Sequence, residues 1–228
     1  NVQRGGPSTG LPTKTEQSDL LQAFHGRNGD APLVIISCSS PGDCFEVGIE
    51  AVRLATHYMT PVFLMTDGYL ANGSEPWLIP SLSDYEPFPV PRRTDPEGFH
   101  PFARDERMIR PWAIPGTPGL EHRIGGLERD YDSGNVSYDP DNHQEMTHIR
   151  RERIARIADD LPEQDYVHGD ESDDLVVVGW GSTYGAIYQA VKRCREKGMK
   201  VAHVHLRYIH PFLRGLDRIL GAFDKILV

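Results

Sequence analysis

Two strand–helix–strand patterns, one near each end of the chain, constrain its fold more than any other feature. Residues 32–37 and 61–66 are short apolar runs, and a segment with helical spacing separates them. The second pattern has the apolar run Leu175–Trp180 and a further predicted strand at Val201–Leu206, again with a helical segment between them. Short apolar runs suit buried parallel strands, and two parallel strands joined by a helix form a right-handed crossover. We therefore predict an α/β protein.

The segment between these patterns differs in composition. From about residue 73 to 142 it has many Pro and Gly residues and no clear period. A structureless loop of this length is unusual inside a compact domain. We therefore expect an extended connector held down by the aromatic residues Trp77, Phe88, Phe99, Phe102 and Trp112. A helix is predicted over residues 143–161. The predicted division is a first domain at 1–80, the connector at 81–142 and a second, truncated α/β domain at 143–228.

Composition excludes several classes of function. The net charge of −9 argues against a nucleic-acid-binding protein, which needs a basic surface. No apolar stretch approaches the roughly 20 residues that cross a bilayer, and the polar first residues lead us to expect no signal peptide. Cys38, Cys44 and Cys194 have neither disulfide nor metal-site spacing. We expect reduced thiols and a cytoplasmic protein.

The first residues of the chain combine features of a small anion site. Arg4 stands at the carboxyl end of a predicted strand, and its guanidinium can hold a carboxylate with two hydrogen bonds. Gly5 and Gly6 have no side chains, so a ligand can approach their backbone. Ser8 and Thr9 add hydroxyl groups. These residue types together favour binding of a small anion.

A helix is expected to follow this loop. Thr13 and Glu16 have the spacing of a capping box, which predicts a helix from about Lys14. The positive end of a helix would strengthen an anion site. The alternative is a capped turn in which Arg4 pairs with a neighbouring carboxylate. The residues alone leave both interpretations open.

Longer motifs decide in favour of the ligand site. Gln-Arg-Gly-Gly-Pro-Ser-Thr-Gly at 3–10 and Thr-Asp-Gly-Tyr-Leu-Ala-Asn-Gly-Ser-Glu-Pro-Trp at 66–77 resemble the alpha subunit of the 2-oxoacid:ferredoxin oxidoreductases. Pro-Gly-Leu-Glu-His at 118–122, Tyr-Asp-Pro-Asp-Asn-His at 138–143 and His-Leu-Arg-Tyr-Ile-His-Pro-Phe at 205–212 continue the resemblance. Within that family, the 2-oxoglutarate type is the most similar.

The resemblance implies a fold and an activity. It implies part of a thiamine-diphosphate pyrimidine-binding domain followed by a transketolase C-terminal-like domain. The implied enzyme oxidatively decarboxylates a 2-oxoacid to its acyl-CoA and CO2 and passes electrons to ferredoxin, or runs the reverse carboxylation. The family also implies strands and helices ahead of Asn1, among them the glutamate that contacts the aminopyrimidine ring.

The resemblance further implies roles, cofactors and partners. Arg4, Ser8 and Thr9 would bind substrate, and Gly5 and Gly6 would lie at the cofactor. Thiamine diphosphate would be shared with a beta subunit that holds Mg²⁺ and a 4Fe–4S cluster, with coenzyme A as co-substrate. We expect a dimer of alpha–beta units with no nucleic acid and no membrane partner. No catalytic or metal-ligating residue is assigned to this chain.

Several other motifs have two interpretations. Asp67 and Gly68 end a predicted strand where open sheets bind ligands, so they are either cofactor-binding residues or a simple turn. Gly179 and Gly181 are too incomplete a motif to indicate a nicotinamide-dependent oxidoreductase. A non-catalytic assembly subunit is the remaining alternative, and the intact Arg4 loop argues against it.

Two clusters are expected to be structural. His203, His205 and His210 are interpreted as strand or loop histidines with local hydrogen bonds rather than metal ligands. The basic cluster in the predicted helix at 143–161 is interpreted as a solvated face, with a ligand-binding or acidic-partner surface as the alternative. Its members are Arg150, Arg151, Arg153 and Arg156.

Overall fold

The first predicted strand–helix–strand unit forms with boundaries a few residues from those of the sequence pattern. The computed structural model describes residues 1–26 and 28–228. Strand β2 spans Val34–Ser37, helix α2 spans Asp43–Tyr58 and strand β3 spans Val62–Asp67. Strands β2 and β3 pair in parallel. The predicted crossover and α/β class are confirmed.

The first sheet draws strands from both ends of the chain. Its order is β1 (Val2–Gln3), β3, β2 and β9 (Tyr208–His210). Strand β1 pairs in parallel with β3, whereas β9 pairs antiparallel with β2. Helix α3 (Gly68–Asn72) directly follows the carboxyl end of β3, and α1 (Ser18–Phe24) packs on this sheet by burying Ala23 with Ile35 and Met65. Because β9 follows the second predicted unit, the two halves of the chain share this sheet.

The second sheet contains the strands of the second predicted unit. Its order is β10-β7-β8-β6, in which β6 is antiparallel to β8 and the other pairs are parallel. Strands β7 and β8 have the predicted bounds. The elements are β6 (Tyr166–His168), β7 (Leu175–Trp180), α5 (Tyr184–Glu196), β8 (Val201–Leu206), α6 (Leu216–Gly221) and β10 (Ile226–Leu227).

The predicted connector has little regular structure. It contains one turn of 3-10 helix at Leu82–Asp84 and two paired two-residue strands, β4 (Arg92–Arg93) and β5 (Trp112–Ala113). Two of the aromatic residues fix it to α2. The indole nitrogen of Trp112 donates to the carbonyl of Thr56 at 2.7 Å, and the Trp77 ring lies 5.4 Å from that of Phe45.

Helix α4 belongs to the first core by its packing. It spans Pro140–Arg156, three residues earlier than expected, because the Asp139 side chain caps it by accepting from Asp141 and Asn142 amides. Ile154 of α4 is buried with Leu54 and Tyr58 of α2. The division at 80 and 142 places α4 and these partners in different segments, and it stays a prediction.

The predicted capping box does not form. Helix α1 begins at Ser18 rather than near Lys14, and no side chain caps its first turn. Glu16 instead accepts hydrogen bonds from the backbone amide of Gly6 at 3.1 Å and from the hydroxyl of Ser18 at 2.5 Å. The Glu16 carboxylate therefore binds the Gly6 amide of the loop instead of capping α1.

Across residues 1–26 and 28–228, none of the helices combines the length and apolar composition needed to cross a bilayer.

Candidate functional site

The Arg4 loop is a closed turn anchored by its own backbone. The amide of Gly5 donates to the carbonyl of Lys14, and the amide of Leu11 donates to the carbonyl of Gly5 at 2.7 Å. Gly10 has φ +42, and a Cβ there would lie 2.1 Å from the Gly5 oxygen. The loop therefore requires glycine at position 10, which sequence reasoning did not single out.

Arg4 is exposed at the mouth of a cleft of about 750 Å³. Its Nε donates to the carbonyl of Ser8 at 3.2 Å, which holds the guanidinium over the turn. Within the part of the chain that the structure describes, no carboxylate forms an ion pair with it. Arg4 is thus available to an anion, and its role in binding substrate stays a prediction. The cleft is lined by Asn1, Val2, Arg4, Gly6, Pro7, Ser8, Glu16, Ser18 and Asp19.

The cleft also carries negative charge. Glu16 and Asp19 line it. Hydrogen bonds from Ser18 and from the Gly6 amide lower the pKa of Glu16, so it is ionised at neutral pH. A carboxylate ligand would therefore be attracted by Arg4 and repelled by Glu16 and Asp19. This balance favours a ligand placed close to the guanidinium.

The glycine amides are used within the loop. The Gly5 amide donates to Lys14, and the Gly6 amide donates to Glu16. These two amides are therefore engaged, although a ligand can still approach the Gly6 Cα. Ser8 shares the cleft with Arg4, while Thr9 is exposed outside its lining. The ligand roles of these residues stay predictions.

Asp67 ends β3 and makes contacts that fit a structural turn. Its Oδ1 accepts from the amides of Tyr69 at 3.0 Å and Leu70 at 3.1 Å, which caps α3. Its Oδ2 accepts from the hydroxyl of Ser182. A Cβ on Gly68 would lie 3.3 Å from the Pro12 oxygen, so glycine lets the Arg4 loop pack on the end of β3. Their cofactor role stays a prediction.

A second, smaller cavity lies beside Asp67. It has a volume of about 260 Å³ and is lined by Gln3, Thr15, Gln17, Asp67, Trp180, Gly181, Ser182 and Thr183. Gln3, at the end of β1, is 2% exposed, and its Oε1 accepts no hydrogen bond from a described residue. This cavity therefore joins the carboxyl ends of strands from both sheets, where open α/β sheets bind ligands.

Sequence reasoning missed Gln3 and Ser182 as members of this site. Both follow the signal that was applied to Asp67, a polar side chain at the carboxyl end of a strand. Arg4, Gly6 and Ser8 share the larger cleft, and Asp67 lines the smaller cavity. Gly5, Thr9 and Gly68 line neither of them.

The glycines after β7 are explained by packing. A Cβ on Gly179 would lie 2.2 Å from Cδ1 of Ile187, so glycine allows α5 to pack against the strand. Gly181 has φ +62, a conformation that glycine adopts readily. The pattern that suggested a nicotinamide site therefore serves the strand-to-helix turn.

His203 of β8 is buried and His205 is half-buried, and both are neutral at pH 7. Burial, with His168 nearby, lowers the pKa of His203 to about 4, and burial lowers that of His205 to about 4. His205 packs on the Tyr184 ring of α5 with centroids 4.9 Å apart. In residues 1–26 and 28–228, no group of three His, Cys, Asp or Glu is arranged to hold a metal ion.

The fold and the site together define an α/β protein with a ligand cleft at the carboxyl ends of its parallel strands. Residues 1–139 match the family model described as pyruvate flavodoxin/ferredoxin oxidoreductase, thiamine diP-bdg. The chain belongs to this family, and its first part is the family's thiamine diphosphate-binding domain. The sequence-based resemblance to 2-oxoacid:ferredoxin oxidoreductase alpha subunits is confirmed.

Two similar proteins are both named as subunits of 2-oxoacid or 2-oxoglutarate oxidoreductases. The chain is 52% identical to 2-oxoglutarate oxidoreductase subunit KorA of Mycobacterium tuberculosis, with 100% of this chain and 35% of the relative covered. It is 35% identical to 2-oxoacid:ferredoxin oxidoreductase 1, subunit alpha, of Aeropyrum pernix, with 97% of this chain and 35% of the relative covered. The chain therefore spans about a third of the length of these relatives.

A solved structure has the same fold. It is the 2-oxoglutarate:ferredoxin oxidoreductase from Magnetococcus marinus with 2-oxoglutarate, coenzyme A and succinyl-CoA bound. The TM-score is 0.87 at 33% sequence identity, with 99% of this chain and 39% of that chain covered. The likeness covers nearly the whole chain and therefore both sheets.

Proposed function

We propose that this chain is part of the alpha subunit of a 2-oxoacid:ferredoxin oxidoreductase of the 2-oxoglutarate type. The enzyme would oxidatively decarboxylate the 2-oxoacid to its acyl-CoA and CO2, with electrons passed to ferredoxin, or run the reverse carboxylation. The observation that carries this proposal is Arg4, an exposed guanidinium on a cleft of the family's thiamine diphosphate-binding domain with no carboxylate partner among the described residues.

Arg4 would hold the carboxylate of the 2-oxoacid. Its planar guanidinium matches a carboxylate in two hydrogen bonds and stays charged at working pH. The bond from Nε to Ser8 fixes the direction of the group but leaves both terminal nitrogens available. Ser8 would add a hydroxyl donor, and Thr9 would do so from the rim. Glu16 and Asp19 would disfavour ligands that do not reach Arg4.

The cofactor would lie beside the backbone of Gly5 and Gly6 and near Asp67 and Gly68. The orphaned oxygen of Gln3 in the adjacent cavity fits a ligand that brings a hydrogen-bond donor, such as the amino group of an aminopyrimidine. When bound, thiamine diphosphate supplies the nucleophilic carbon and the electron sink for decarboxylation. The residues described here contribute binding and orientation.

Other components would come from partners. A beta subunit would hold Mg²⁺ and the 4Fe–4S cluster, and ferredoxin would accept the electrons. Coenzyme A would be the second substrate, and the assembly would be a dimer of alpha–beta units. A cytoplasmic location is part of the proposal, and the free cysteines Cys38, Cys44 and Cys194 would suit a reducing compartment.

Purification of the full-length protein with its partner tests this proposal. Ferredoxin or viologen reduction would be measured with coenzyme A and each of pyruvate, 2-oxoglutarate and a branched 2-oxoacid. The expected result is a brown complex of two polypeptides with the highest kcat/KM for 2-oxoglutarate. Preference for pyruvate would reject the substrate and retain the family. A complex without activity on any 2-oxoacid would favour the non-catalytic assembly subunit.

A further inference from the structure

A groove with mainly apolar walls lies between the last turn of α2 and the connector. Its volume is about 670 Å³, within the usual range for small-molecule pockets. The walls include Met59, Val90, Trp112, Ile114 and Ile124. Ile124 is 86% exposed, so this apolar surface is open to solvent.

The groove is separate from the Arg4 cleft. Helix α2 ends at Tyr58, just before the amino end of β3, and Arg4 follows the carboxyl end of β1. Because β1 and β3 are parallel, the groove lies toward the amino ends of the strands of the first sheet and the Arg4 cleft lies toward their carboxyl ends. A ligand in the groove would therefore not occupy the site proposed for the 2-oxoacid.

Arg110 lines this groove without an anionic partner in the described part of the chain. Its Nε and one terminal nitrogen lie 3.2 Å and 2.8 Å from Sδ of Met59, which is a weak acceptor. Its guanidinium carbon lies 4.4 Å from the centre of the Phe102 ring. Burial lowers its pKa. Sulfur and an aromatic face compensate a half-buried cation poorly.

More positive charge lies behind Arg110. Burial and neighbouring arginines lower the pKa of Arg104 and of Arg153 to about 10. Neither Nε has a hydrogen-bond partner among residues 1–26 and 28–228. Arg150 pairs with the carboxylate of Glu128 at 3.0 Å, whereas Arg104, Arg110 and Arg153 form no ion pair with a described residue. The basic cluster predicted as a solvated face is thus partly buried under the connector.

We propose that the groove binds a small carboxylate with an apolar body. The carboxylate would pair with Arg110, and the apolar body would lie against Trp112 and Ile124. A buried cation is stabilised by an anion that shares its site. Apolar walls disfavour a strongly hydrated dianion such as phosphate, so a monoanionic carboxylate fits best. Binding in this groove does not depend on the 2-oxoacid reaction proposed above.

The test uses the full-length protein in its native complex. Binding of 3-phenylpropionate, of its uncharged analogue 3-phenylpropanol and of inorganic phosphate would be measured by calorimetry. We expect the acid to bind at least 10-fold more tightly than the alcohol and phosphate. Equal affinities, or no binding of the acid, would overturn the proposal.

Variants locate the binding. Arg110→Met should weaken binding of 3-phenylpropionate by roughly 10- to 150-fold, as expected for a lost charge-assisted bond. The affinity for 3-phenylpropanol should stay unchanged. The matched control is Arg123→Met, which removes a nearby exposed arginine outside the lining and should change nothing. Arg4→Ala should also leave acid binding unchanged, which separates the groove from the proposed active site. Unchanged acid affinity in Arg110→Met would refute the proposal.

Two further variants keep the test decisive if Arg110→Met does not fold. Ile124 lies on an exposed wall of the groove, so Ile124→Ser should weaken binding of the acid and of the alcohol to the same degree. Arg110→Lys keeps the charge and should retain part of the preference for the acid. If Arg110 variants release the partner subunit and the acid never binds, the groove is a protein interface and the proposal is wrong.

Discussion

The hydroxyl of Ser182 donates a hydrogen bond to Oδ2 of Asp67, and this contact joins residues 115 positions apart. Asp67 ends β3 of the first sheet, and Ser182 follows β7 of the second. The other oxygen of Asp67 caps α3. One carboxylate therefore holds a local turn and the junction of the two sheets, next to the cavity that contains Gln3.

Removal of the Asp67 carboxylate should destabilise both the first turn of α3 and the junction of the two sheets. Asp67→Ala is expected to lower the local stability of residues 62–72 by about 2–3 kcal/mol, because it removes a cap and a hydrogen bond. Ser182→Ala should cost about 1 kcal/mol there. Hydrogen exchange of the full-length protein, read on peptides from 62–72, measures both effects.

The two changes should not be additive. Once Asp67 is replaced by alanine, Ser182→Ala should have almost no further effect, since the two side chains act through one bond. Asp67→Asn keeps an oxygen for the cap and should recover most of the stability. Full additivity of the two alanine variants would show that the contact contributes nothing.

Gly10→Ala should disrupt the Arg4 loop. The added Cβ would lie 2.1 Å from the Gly5 oxygen, and φ is +42. We expect a loss of roughly 2 kcal/mol or more in local stability and a matching loss of 2-oxoacid turnover. Gly6→Ala is the comparison, because its Cβ would lie 3.5 Å from Glu16 Oε1, an ordinary contact.

The two glycine variants also distinguish an effect on the structure of the loop from an effect on cofactor binding. If Gly6 lies at the cofactor, Gly6→Ala should lower thiamine diphosphate occupancy while the loop keeps its hydrogen-exchange protection. Normal occupancy in Gly6→Ala would remove Gly6 from the cofactor site. Normal loop protection in Gly10→Ala would contradict the steric argument.

Local patterns predicted strands β2, β3 and β7 because each is a short, mostly apolar segment. Strand β8 was predicted with its observed bounds although His203 and His205 interrupt its apolar residues. Strand β9 was not predicted, since its three residues pair with β2 far away in sequence and carry no local signal. The capping box failed for a related reason. Glu16 can serve α1 or the Gly6 amide, and loop closure decided between them.

The candidate site was predictable where one side chain carries the chemistry. Arg4 was proposed because the motif at 3–10 resembles the family, and its substrate role stays a prediction. Gln3 and Ser182 were missed because their importance comes from the meeting of two sheets. Arg110 was missed because only the fold reveals that it lacks a carboxylate partner.

The buried histidines predict a pH dependence of stability. His203 has a pKa of about 4 in the folded protein, against about 6.5 when exposed. The unfolded chain therefore binds the proton first, and stability is lost as the pH falls from about 6.5 toward about 4. For His203 alone, the loss between pH 7.5 and pH 5 should be about 2 kcal/mol.

His203→Leu isolates this effect. Neither ring nitrogen of His203 has a hydrogen-bond partner among the described residues, so leucine should be tolerated at pH 7.5. Hydrogen exchange of β8 amides at pH 7.5 and pH 5, corrected for intrinsic rates, gives the two stabilities. The variant should lose clearly less stability than the wild type on acidification. An identical loss would mean that other groups carry the pH dependence.

Arg4 provides the most direct test of the proposed reaction. Arg4→Ala removes a charge-assisted bond worth roughly 1.5–3 kcal/mol, so kcat/KM for the 2-oxoacid should fall about 10- to 150-fold. Arg4→Lys should restore little, because an ammonium cannot form the two parallel bonds of a guanidinium. Thiamine occupancy and association with the partner should persist, since backbone hydrogen bonds among Gly5, Leu11 and Lys14 hold the loop.

Lys14→Ala is the matched control for Arg4. It removes an exposed positive charge from the same loop, while the carbonyl that accepts from Gly5 remains. A general electrostatic attraction of the substrate would make both variants lose activity to a similar degree and more so at low salt. Direct pairing predicts a loss confined to Arg4→Ala that salt changes little. If Arg4→Ala keeps normal kcat/KM at full thiamine occupancy, Arg4 does not bind the substrate, and the cleft must serve another purpose.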